Sequence, residues 1–276
     1  MPGHPTQHEK ATHFRALHEG DVPFVIANPF DIGSAKILAA MGFAALATSS
    51  GGFAGTLGRR DGQVTRGEAL AHAQAVVEAV DLPVSADFEN GFGHAPAEAA
   101  ETVSLAIGAG LAGCSIEDAT QEGERPLYHI DEAAARMAAA AAAAHATEIP
   151  FVLTGRTEGF IRGVPDLDET IARLQAYEAA GADVLMAPAL PDLAAVKKVC
   201  ASLTKPFSFM AGIPGRSFPV EALAAAGVRR ISLATSLYRA AMGRLEAAAR
   251  EVRDNGTFVY VEDAMTSRDL ADYMGR

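Results

Sequence analysis

The sequence predicts a (β/α)8 TIM barrel with a C-terminal helical extension, and three observations carry this prediction. Eight short runs of β-forming residues alternate with eight helix-type stretches across 276 residues, close to the about 250 residues that such a barrel needs. The runs are apolar throughout, which is typical of parallel strands buried on both faces. Four helix-type stretches end in an Ala-Gly or Met-Gly step directly before a strand, where glycine supplies a left-handed cap: Gly42, Gly110, Gly181 and Gly227.

The strand-type and helix-type segments follow one another without a break. Strands are predicted at residues 24–29, 44–49, 84–88, 114–116, 151–154, 184–187, 207–211 and 231–234. After a first helix at 12–19, helices are predicted at 34–41, 66–80, 96–108, 131–146, 168–180, 192–202, 219–226 and 236–254. No G-x-G-x-x-G turn follows the first strand, which argues against an open dinucleotide-binding sheet.

We therefore expect residues 1–276 to form a single barrel domain, with 257–276 as its extension. This extension begins with the apolar run 258–261 and closes with a last helix. An apolar extension of this kind is expected to pack against a neighbouring subunit, so we predict a homo-oligomer.

Composition limits the classes of partner. The net charge is −11 and no basic run stands out, which argues against nucleic acid or an anionic membrane as partner. Only Cys114 and Cys200 are present, too few for a disulfide framework in a chain of this length, and this favours a reducing compartment. No apolar run approaches the roughly 18 residues of a membrane span, and residues 1–9 lack a signal-peptide pattern. We expect a cytoplasmic protein.

A pair of carboxylates follows the third predicted strand. Asp87 and Glu89 are two residues apart, so on an extended strand both side chains project to the same face. Neighbouring carboxylates repel each other unless a positive charge lies between them. Mg²⁺ fits this position because it needs few protein ligands and keeps several waters. An isolated Asp-x-Glu is more often a pair of solvated loop acids. The residues at the other strand ends therefore decide between a metal site and solvated acids.

Those strand ends supply a consistent set of polar residues at the face where a barrel carries its active site. The small residues 49–52 follow the second strand, and their backbone N–H groups can bind an anion. Glu117-Asp118 follow the fourth strand, and Arg156 with Glu158 follow the fifth. The planar fork of Arg156 suits a substrate carboxylate, or a salt bridge to Glu117 or Glu158, and these two roles are compatible.

Five segments in this order resemble the isocitrate lyase/phosphoenolpyruvate mutase superfamily over roughly residues 24–246. They are Ser-Ser-Gly-Gly at 49–52, Leu-Gly-Arg-Arg-Asp-Gly at 57–62, Asp-Phe-Glu-Asn-Gly-Phe-Gly at 87–93, Ile-Glu-Asp at 116–118 and Gly-Arg-Thr-Glu at 155–158. The resemblance implies a (β/α)8 barrel, often with a C-terminal helix exchanged between subunits in a dimer of dimers. It also implies Mg²⁺, with Mn²⁺ as a substitute, and a small 2-oxo or 2-hydroxy carboxylate as substrate.

The resemblance also implies roles for individual residues. Asp87 would bind the metal directly, while Glu89 and Glu117 would act partly through its waters. Asp61 would lie near the metal on a mobile flap, and Asp61, Glu117 and Arg156 would form the catalytic set. The substrate carboxylate would be held by Arg156 together with Ser50, Gly51 and Gly52.

The chain departs from the family pattern after the acids of the fourth strand. Relatives that cleave isocitrate or methylisocitrate carry a Lys-Lys-Cys-Gly-His-type gating loop there, but residues 118–128 contain no cysteine. Cys114 precedes the acids, so we expect it in the core. Ala119 stands where the phosphonomutases carry lysine, and the Arg-Pro-Leu-Tyr of 125–128 resembles the branch with oxaloacetate decarboxylase-like members.

These observations favour a Mg²⁺-dependent lyase that cleaves a C–C bond of, or decarboxylates, its substrate through an enolate. The alternatives are phosphonate P–C bond mutase or hydrolase chemistry, and a barrel that binds a ligand without turning it over. We expect residues 119–124 to form a mobile lid, and Arg125 to reach a second substrate carboxylate or to form a surface salt bridge. Tyr128 and His94 are weaker candidates for the site, and Ser208 is expected as the one polar group of an apolar wall.

Overall fold

The computed structural model of the protein describes residues 3–275, which contain eight parallel strands surrounded by helices. The strands are β1 Phe24–Ile26, β2 Leu46–Ala47, β3 Val84–Asp87, β4 Gly113–Glu117, β5 Val152–Arg156, β6 Val184–Met186, β7 Phe207–Met210 and β8 Arg230–Ser232. The helices are α1 Gln7–Leu17, α2 Ile32–Ala40, α3 Ser50–Thr56, α4 Arg66–Ala79, α5 Pro96–Gly108, α6 Ile130–His145, α7 Leu167–Ala179, α8 Leu193–Ala201, α9 Val220–Ala225, α10 Ser236–Asn255 and α11 Ser267–Met274. A 3₁₀ helix, Val259–Asp263, lies between α10 and α11.

The strands close into a barrel. Each strand pairs in parallel with its neighbours in the order β1-β8-β7-β6-β5-β4-β3-β2, with Phe24 of β1 opposite Arg230 of β8. At the remaining seam, Ala27 and Leu46 form a parallel bridge and the N–H of Ala47 donates to the carbonyl of Ala27 at 2.9 Å. The predicted (β/α)8 barrel is confirmed.

The predicted segments match the observed ones apart from two helices. The first helix begins at Gln7 and not at residue 12, because Thr6 and Glu9 form a capping box in which the Thr6 N–H donates to Glu9 Oε2 at 2.7 Å. The small residues after β2, expected as a turn, form the short helix α3. The four predicted cap glycines all have left-handed backbone, with φ of 87° at Gly42, 85° at Gly110, 105° at Gly181 and 100° at Gly227.

Helix α1 covers the N-terminal end of the barrel. Phe14 is fully buried there, and Lys10 Nζ donates to the carbonyl of Val80 at 2.8 Å. His18, just after α1, is buried; its Nδ1 contacts the carbonyl of Phe14 at 2.8 Å. With this end closed, the C-terminal ends of the strands remain for a ligand.

The C-terminal segment exposes apolar surface. Helix α10 is 20 residues long and has no buried residue. Helix α11 returns to α2, where Lys36 Nζ donates to the carbonyl of Met274 at 2.8 Å. Large apolar side chains stay exposed between and along these helices: Leu245, Phe258, Val259, Val261, Met265 and Leu270.

Among residues 3–275, no helix is both long enough and apolar enough to cross a lipid bilayer.

The buried His18 makes stability depend on pH. Burial, and secondly the charge of Arg230, lower its pKa from 6.5 to about 3, so between these values the unfolded chain binds a proton that the folded chain does not. We expect the free energy of unfolding to fall as the pH drops from 6.5 towards 3, with up to about 1.4 kcal/mol per pH unit from this group. Urea titrations from pH 7 to pH 4 measure the slope. It should be shallower in His18→Asn and unchanged in His13→Gln, an exposed histidine of the same helix; equal slopes in all three proteins would contradict the assignment.

Candidate active site

A cavity of about 440 Å³ opens at the C-terminal ends of the strands. Its walls come from the segments that follow β2, β3, β4, β5, β7 and β8, and from the loop that carries Asp61 and Gly62. The cavity is lined by five carboxyl groups and three guanidinium groups: Asp61, Asp87, Glu89, Glu117, Glu158, Arg156, Arg162 and Arg239. The structure therefore brings Arg156 and the acids expected from the strand ends, apart from Asp118, into one site.

Asp87 lies at the floor of this cavity, at the end of β3. Its Oδ2 accepts from Ser50 Oγ at 3.1 Å and from Arg156 Nη1 at 3.4 Å, and its Oδ1 accepts from the N–H of Glu89 at 3.2 Å. Glu89 reaches the same cavity by a different route from the one expected. The strand ends at Asp87, and Glu89 has a left-handed φ of 49°, which turns its side chain back towards Asp87.

Glu89 has a buried carboxyl oxygen that lacks a hydrogen-bond partner within residues 3–275. It is buried, its Oε2 accepts from Gln121 Nε2 at 3.2 Å, and its Oε1 is out of contact with solvent without a hydrogen-bond partner among the described residues. Burial, followed by the charges of Asp87 and Asp61, raises the pKa of Glu89 to about 8. A bound cation would relieve both the repulsion and the missing contact.

Arg156, at the end of β5, is surrounded by carboxylates. Its Nε lies 2.7 Å from Glu158 Oε1 and 3.4 Å from Glu117 Oε2, in addition to the contact with Asp87. Burial and then the charge of Glu158 raise the pKa of Glu117 well above its ordinary value. Burial alone would lower the pKa of Arg156, but the three carboxylates outweigh it and keep that pKa above its ordinary value. The salt bridges expected for Arg156 are present.

The small residues after β2 form the first turn of α3. Ser49 caps the helix, with its Oγ accepting from the N–H of Gly52 at 3.3 Å, and Ser49 and Ser50 line the cavity. Gly51 lies directly behind them. A Cβ at this position would lie 3.1 Å from Thr235 Oγ1 and 3.3 Å from the carboxyl group of Asp61, so a larger residue would push these side chains away by a few tenths of an ångström. The N–H of Gly52 is thus used by the cap, while the N–H groups of Ser50 and Gly51 have no acceptor within the helix.

Asp118 does not line the cavity, although its motif places it beside Glu117. Its Oδ2 accepts from Thr157 Oγ1 at 2.7 Å, Tyr177 OH at 2.6 Å and Arg173 Nη1 at 3.2 Å. Its Oδ1 accepts from the N–H of Glu158 at 2.8 Å. Asp118 therefore holds the segment after β5 that presents Arg156 and Glu158.

The expected lid is anchored more firmly than its composition suggested. Ala119 and Thr120 are fully buried, Ala119 forms a bridge with Leu127, and Thr120 Oγ1 donates to the carbonyl of Arg125. Only Gln121 reaches the cavity, with a left-handed φ of 67°. Ala119 and Thr120 are therefore held in place by their neighbours, and the mobile lid stays a prediction for residues 121–124.

The expected substrate contact of Arg125 is not supported. Its Nη1 lies 3.0 Å from Glu132 Oε2, outside the cavity, so the salt-bridge alternative applies.

The cavity also contains Arg162, which was not predicted. Its Nη2 lies 3.4 Å from Glu117 Oε1 and its Nε lies 3.5 Å from Glu158 Oε2. The spacing of four residues between Glu158 and Arg162 could have indicated this salt bridge.

Two further expectations are corrected on the remaining walls. The wall after β7 and β8 is largely apolar, as expected, with Met210, Ile213 and Leu233, but Ser208 is not part of it. Ser208 is buried inside the barrel and accepts from Arg230 Nε at 2.9 Å. Tyr128 is also outside the cavity lining, because its hydroxyl contacts His94 Nδ1 at 2.8 Å.

Cys114 is buried in the core, as expected, and burial raises the pKa of its thiol far above the ordinary value. Such a thiol cannot transfer a proton to a ligand in the cavity. We expect Cys114→Ser to change kcat by less than about threefold while lowering the free energy of unfolding by about 1–3 kcal/mol, the penalty for burying a hydroxyl. Steady-state rates and urea titration measure the two quantities. A large loss of kcat at unchanged stability would place the thiol in the chemistry.

The residues present fit a hydrated divalent cation better than a fully protein-bound metal. Within residues 3–275, no three His, Cys, Asp or Glu side chains converge as a ready set of metal ligands. Mg²⁺ does not need such a set, because it binds through one or two carboxylates and keeps its waters. The cavity offers five carboxyl groups as hard oxygen donors, which outnumber its three guanidinium groups, and among them the unpartnered Glu89 Oε1. Asp87, Glu89 and Glu117 are the residues that could hold the ion.

A closed barrel with clustered ionisable groups at its C-terminal mouth is the architecture of a (β/α)8 enzyme. The family model "Phosphoenolpyruvate phosphomutase" matches residues 14–253. The chain therefore belongs to this family, within the isocitrate lyase/phosphoenolpyruvate mutase superfamily.

Individual relatives are lyases and decarboxylases. The chain is 31% identical over 272 residues to 2-methylisocitrate lyase of Escherichia coli (strain K12), covering 95% of this chain and 90% of the relative. It is 31% identical over 255 residues to oxaloacetate decarboxylase of Ectopseudomonas mendocina (strain ymp), covering 90% and 86%. A solved structure from Burkholderia cenocepacia J2315, of lyase/mutase type, superimposes with a TM-score of 0.96 at 45% identity and covers 98% of both chains. These relatives support an enzyme of the lyase type.

Proposed function

We propose that the protein is a Mg²⁺-dependent lyase that cleaves a C–C bond of, or decarboxylates, a small 2-oxo or 2-hydroxy carboxylate through an enolate. The observation that carries the proposal is the cluster of Asp87, Glu89 and Glu117 around Arg156 at the cavity floor, with one Glu89 oxygen unpartnered. The names of the relatives, a methylisocitrate lyase and an oxaloacetate decarboxylase, support the same reaction class.

Each residue has a defined task in this proposal. Asp87 would hold the ion directly, and Glu89 and Glu117 would hold its waters; Mn²⁺ could replace Mg²⁺. The bound ion would supply Lewis-acid stabilisation of the negative charge that develops on the substrate's C2 oxygen.

The remaining residues would orient the substrate and exclude water. Arg156 and the N–H groups of Ser50 and Gly51 in the first turn of α3 would bind the substrate carboxylate and fix its direction relative to the acids, while the N–H of Gly52 serves the cap. Asp61 and Gln121 lie on two different loops at the mouth of the cavity. Movement of these loops over a bound substrate would shield the enolate from stray protonation.

Phosphonate P–C chemistry is the second candidate. The observation that favours it is the description of the matching family model, a phosphomutase. Against it stands Ala119 at the position where the phosphonomutases carry lysine. Both reactions would use the same enolate, so the acid cluster alone does not separate them.

A substrate panel with Mg²⁺ separates the candidates. Oxaloacetate, methylisocitrate, dimethylmalate and phosphonopyruvate are supplied in turn, with pyruvate, phosphoenolpyruvate and inorganic phosphate measured as products. Turnover of one of the first three supports the proposal, while formation of phosphoenolpyruvate or release of phosphate from phosphonopyruvate supports the second candidate. Calorimetry with Mg²⁺ and oxalate, an enolate mimic, identifies a barrel that binds without turnover. Absence of both turnover and cooperative Mg²⁺–oxalate binding would refute the metal-dependent lyase.

We also propose a homo-oligomer, a dimer of dimers, held partly by the C-terminal segment. The exposed apolar residues are Phe258 (64% exposed), directly before the 3₁₀ helix, and Val261 (53% exposed) within it. Helix α10, which precedes them, buries no residue. We expect Phe258→Asp with Val261→Asp to reduce the mass measured by light scattering to that of a smaller species. Asn255→Asp adds a charge at a nearby exposed polar site and should leave the mass unchanged. A monomeric wild-type protein would refute the assembly.

A further inference from the structure

Arg230 is a buried cation inside the barrel. It is 5% exposed and lies on β8, with its side chain crossing the barrel interior to β5 and β7. Its Nε donates to Ser208 Oγ at 2.9 Å, its Nη2 donates to Thr154 Oγ1 at 3.0 Å, and its Nη1 lies 3.4 Å from His18 Nε2. All three partners are side chains without a negative charge.

The charge of Arg230 is therefore uncompensated. No carboxylate of residues 3–275 forms an ion pair with it, whereas Arg156 pairs with three. Burial lowers the pKa of Arg230 to about 10, and no acid raises it again, yet the side chain stays protonated at neutral pH. A guanidinium group has five N–H donors, of which the three contacts above use three. A buried charge without a counter-charge is unfavourable, so a further partner is expected.

A chamber next to Arg230 provides the space for that partner. Its volume is about 40 Å³, and it lies between Arg230 and the floor of the active-site cavity, with which it shares Asp87 and Arg156. Such a volume exceeds the roughly 10–15 Å³ that one water needs. The interiors of these barrels are usually filled by Val, Ile and Leu. Here small polar side chains supply part of the chamber lining, beside apolar ones such as Ile26 and Met186: Asn28, Thr48, Ser85, Ser115 and Ser232.

The lining suits an anion better than a cation. The hydroxyl groups of Ser85 and Ser115 line the chamber together with Arg230, and a hydroxyl group can donate to an anion as the guanidinium group does. The one acid of the chamber, Asp87, already accepts at its Oδ2 from Ser50 and Arg156. We propose that this chamber binds a small monovalent inorganic anion of the chloride class, held by Arg230 and the surrounding hydroxyl groups. This site is separate from the proposed reaction and does not depend on it.

Diffraction from crystals of the wild-type protein grown with bromide tests the site directly. The expected result is an anomalous peak within hydrogen-bond distance of the Arg230 guanidinium. A chamber that shows only ordered waters in high bromide would overturn the proposal. This measurement needs no variant and is independent of Mg²⁺ and of any substrate.

Thermal unfolding provides a second test. At constant ionic strength, replacing gluconate, which is too large for the chamber, with chloride should raise Tm by a few degrees and then saturate. Chloride at ten times its dissociation constant would raise the folding equilibrium constant about elevenfold. Arg230→Met should lose this chloride dependence, while Arg229→Met, which removes the neighbouring arginine on the outer side of the barrel, should keep it. A Tm that follows ionic strength alone, or equal losses in both variants, would refute the site; the bromide experiment decides should Arg230→Met fail to fold.

Discussion

Replacing Asp87 by alanine is expected to abolish Mg²⁺-dependent oxalate binding and to lower kcat/KM by about a thousandfold or more. A metal acting as a Lewis acid supplies several kcal/mol of transition-state stabilisation, and each 1.36 kcal/mol corresponds to about a factor of ten in rate. Asp87 also accepts hydrogen bonds from Ser50 and Arg156, so the variant releases both groups from the positions that the proposal requires. The fold should persist, because Asp87 lies at a strand end next to the cavity and not in the apolar core.

Calorimetry and steady-state kinetics measure these losses, and circular dichroism verifies the fold. Asp81→Ala serves as the control, since Asp81 is a surface acid whose partner is the exposed His4. Glu89→Ala should be milder than Asp87→Ala, because Glu89 is assigned to the waters of the ion. An Asp87→Ala protein with full activity at limiting Mg²⁺ would remove the basis of the proposed function.

The fold can be predicted from the sequence where a local pattern of residues determines the structure. Continuous apolar runs and glycine caps specify strands and helix ends, so the barrel and the four glycines that precede its strands in left-handed conformation were predictable. The site acids were found by one topological step, because parallel strands bring their C-terminal ends to the same face. That step places Asp87, Glu117 and Arg156 together without any knowledge of side-chain contacts.

The features that were not predicted depend on turns of the backbone and on contacts between segments that are distant in the sequence. Arg162 reaches the cavity because the loop after β5 turns back. The turn is closed by the N–H of Arg162, which donates to the carbonyl of Glu158 at 2.9 Å. Ser208 faces the barrel interior because Arg230 from the neighbouring strand donates to it. Gln121 and Glu89 adopt left-handed backbone that their residue types do not favour. Only the Glu158–Arg162 pair has a local signal, its spacing of four residues, whereas the pairing of Ser208 with Arg230 joins two different strands.

Asp118 joins more segments through its side chain than the other residues discussed, and its replacement is expected to have the largest effect on stability. The carboxyl group is 2% exposed and accepts four hydrogen bonds, from Thr157, Glu158, Arg173 and Tyr177. Asp118→Ala would leave the buried guanidinium of Arg173 with Glu169 as its remaining ion-pair partner and would release the hydroxyl of Tyr177. Removing one partner of a buried ion pair costs about 3–5 kcal/mol, against a total stability of about 5–15 kcal/mol for a typical protein.

Urea titration measures this loss, and Asp168→Ala is the matched control. Asp168 also pairs with a cation, Lys198 at 2.7 Å, but both side chains are largely exposed, so its removal should cost less than about 1 kcal/mol. Asp118→Asn keeps the shape and should be intermediate in stability. Because the N–H of Glu158 donates to Asp118, the folded asparagine variant should still lose kcat, as Glu158 and with it Arg156 shift. Equal free energies of unfolding for Asp118→Ala and Asp168→Ala would contradict this prediction. The hydrogen-bond network at the end of β5 would then contribute nothing to stability, and the geometry of the site would have to depend on the metal and the substrate instead.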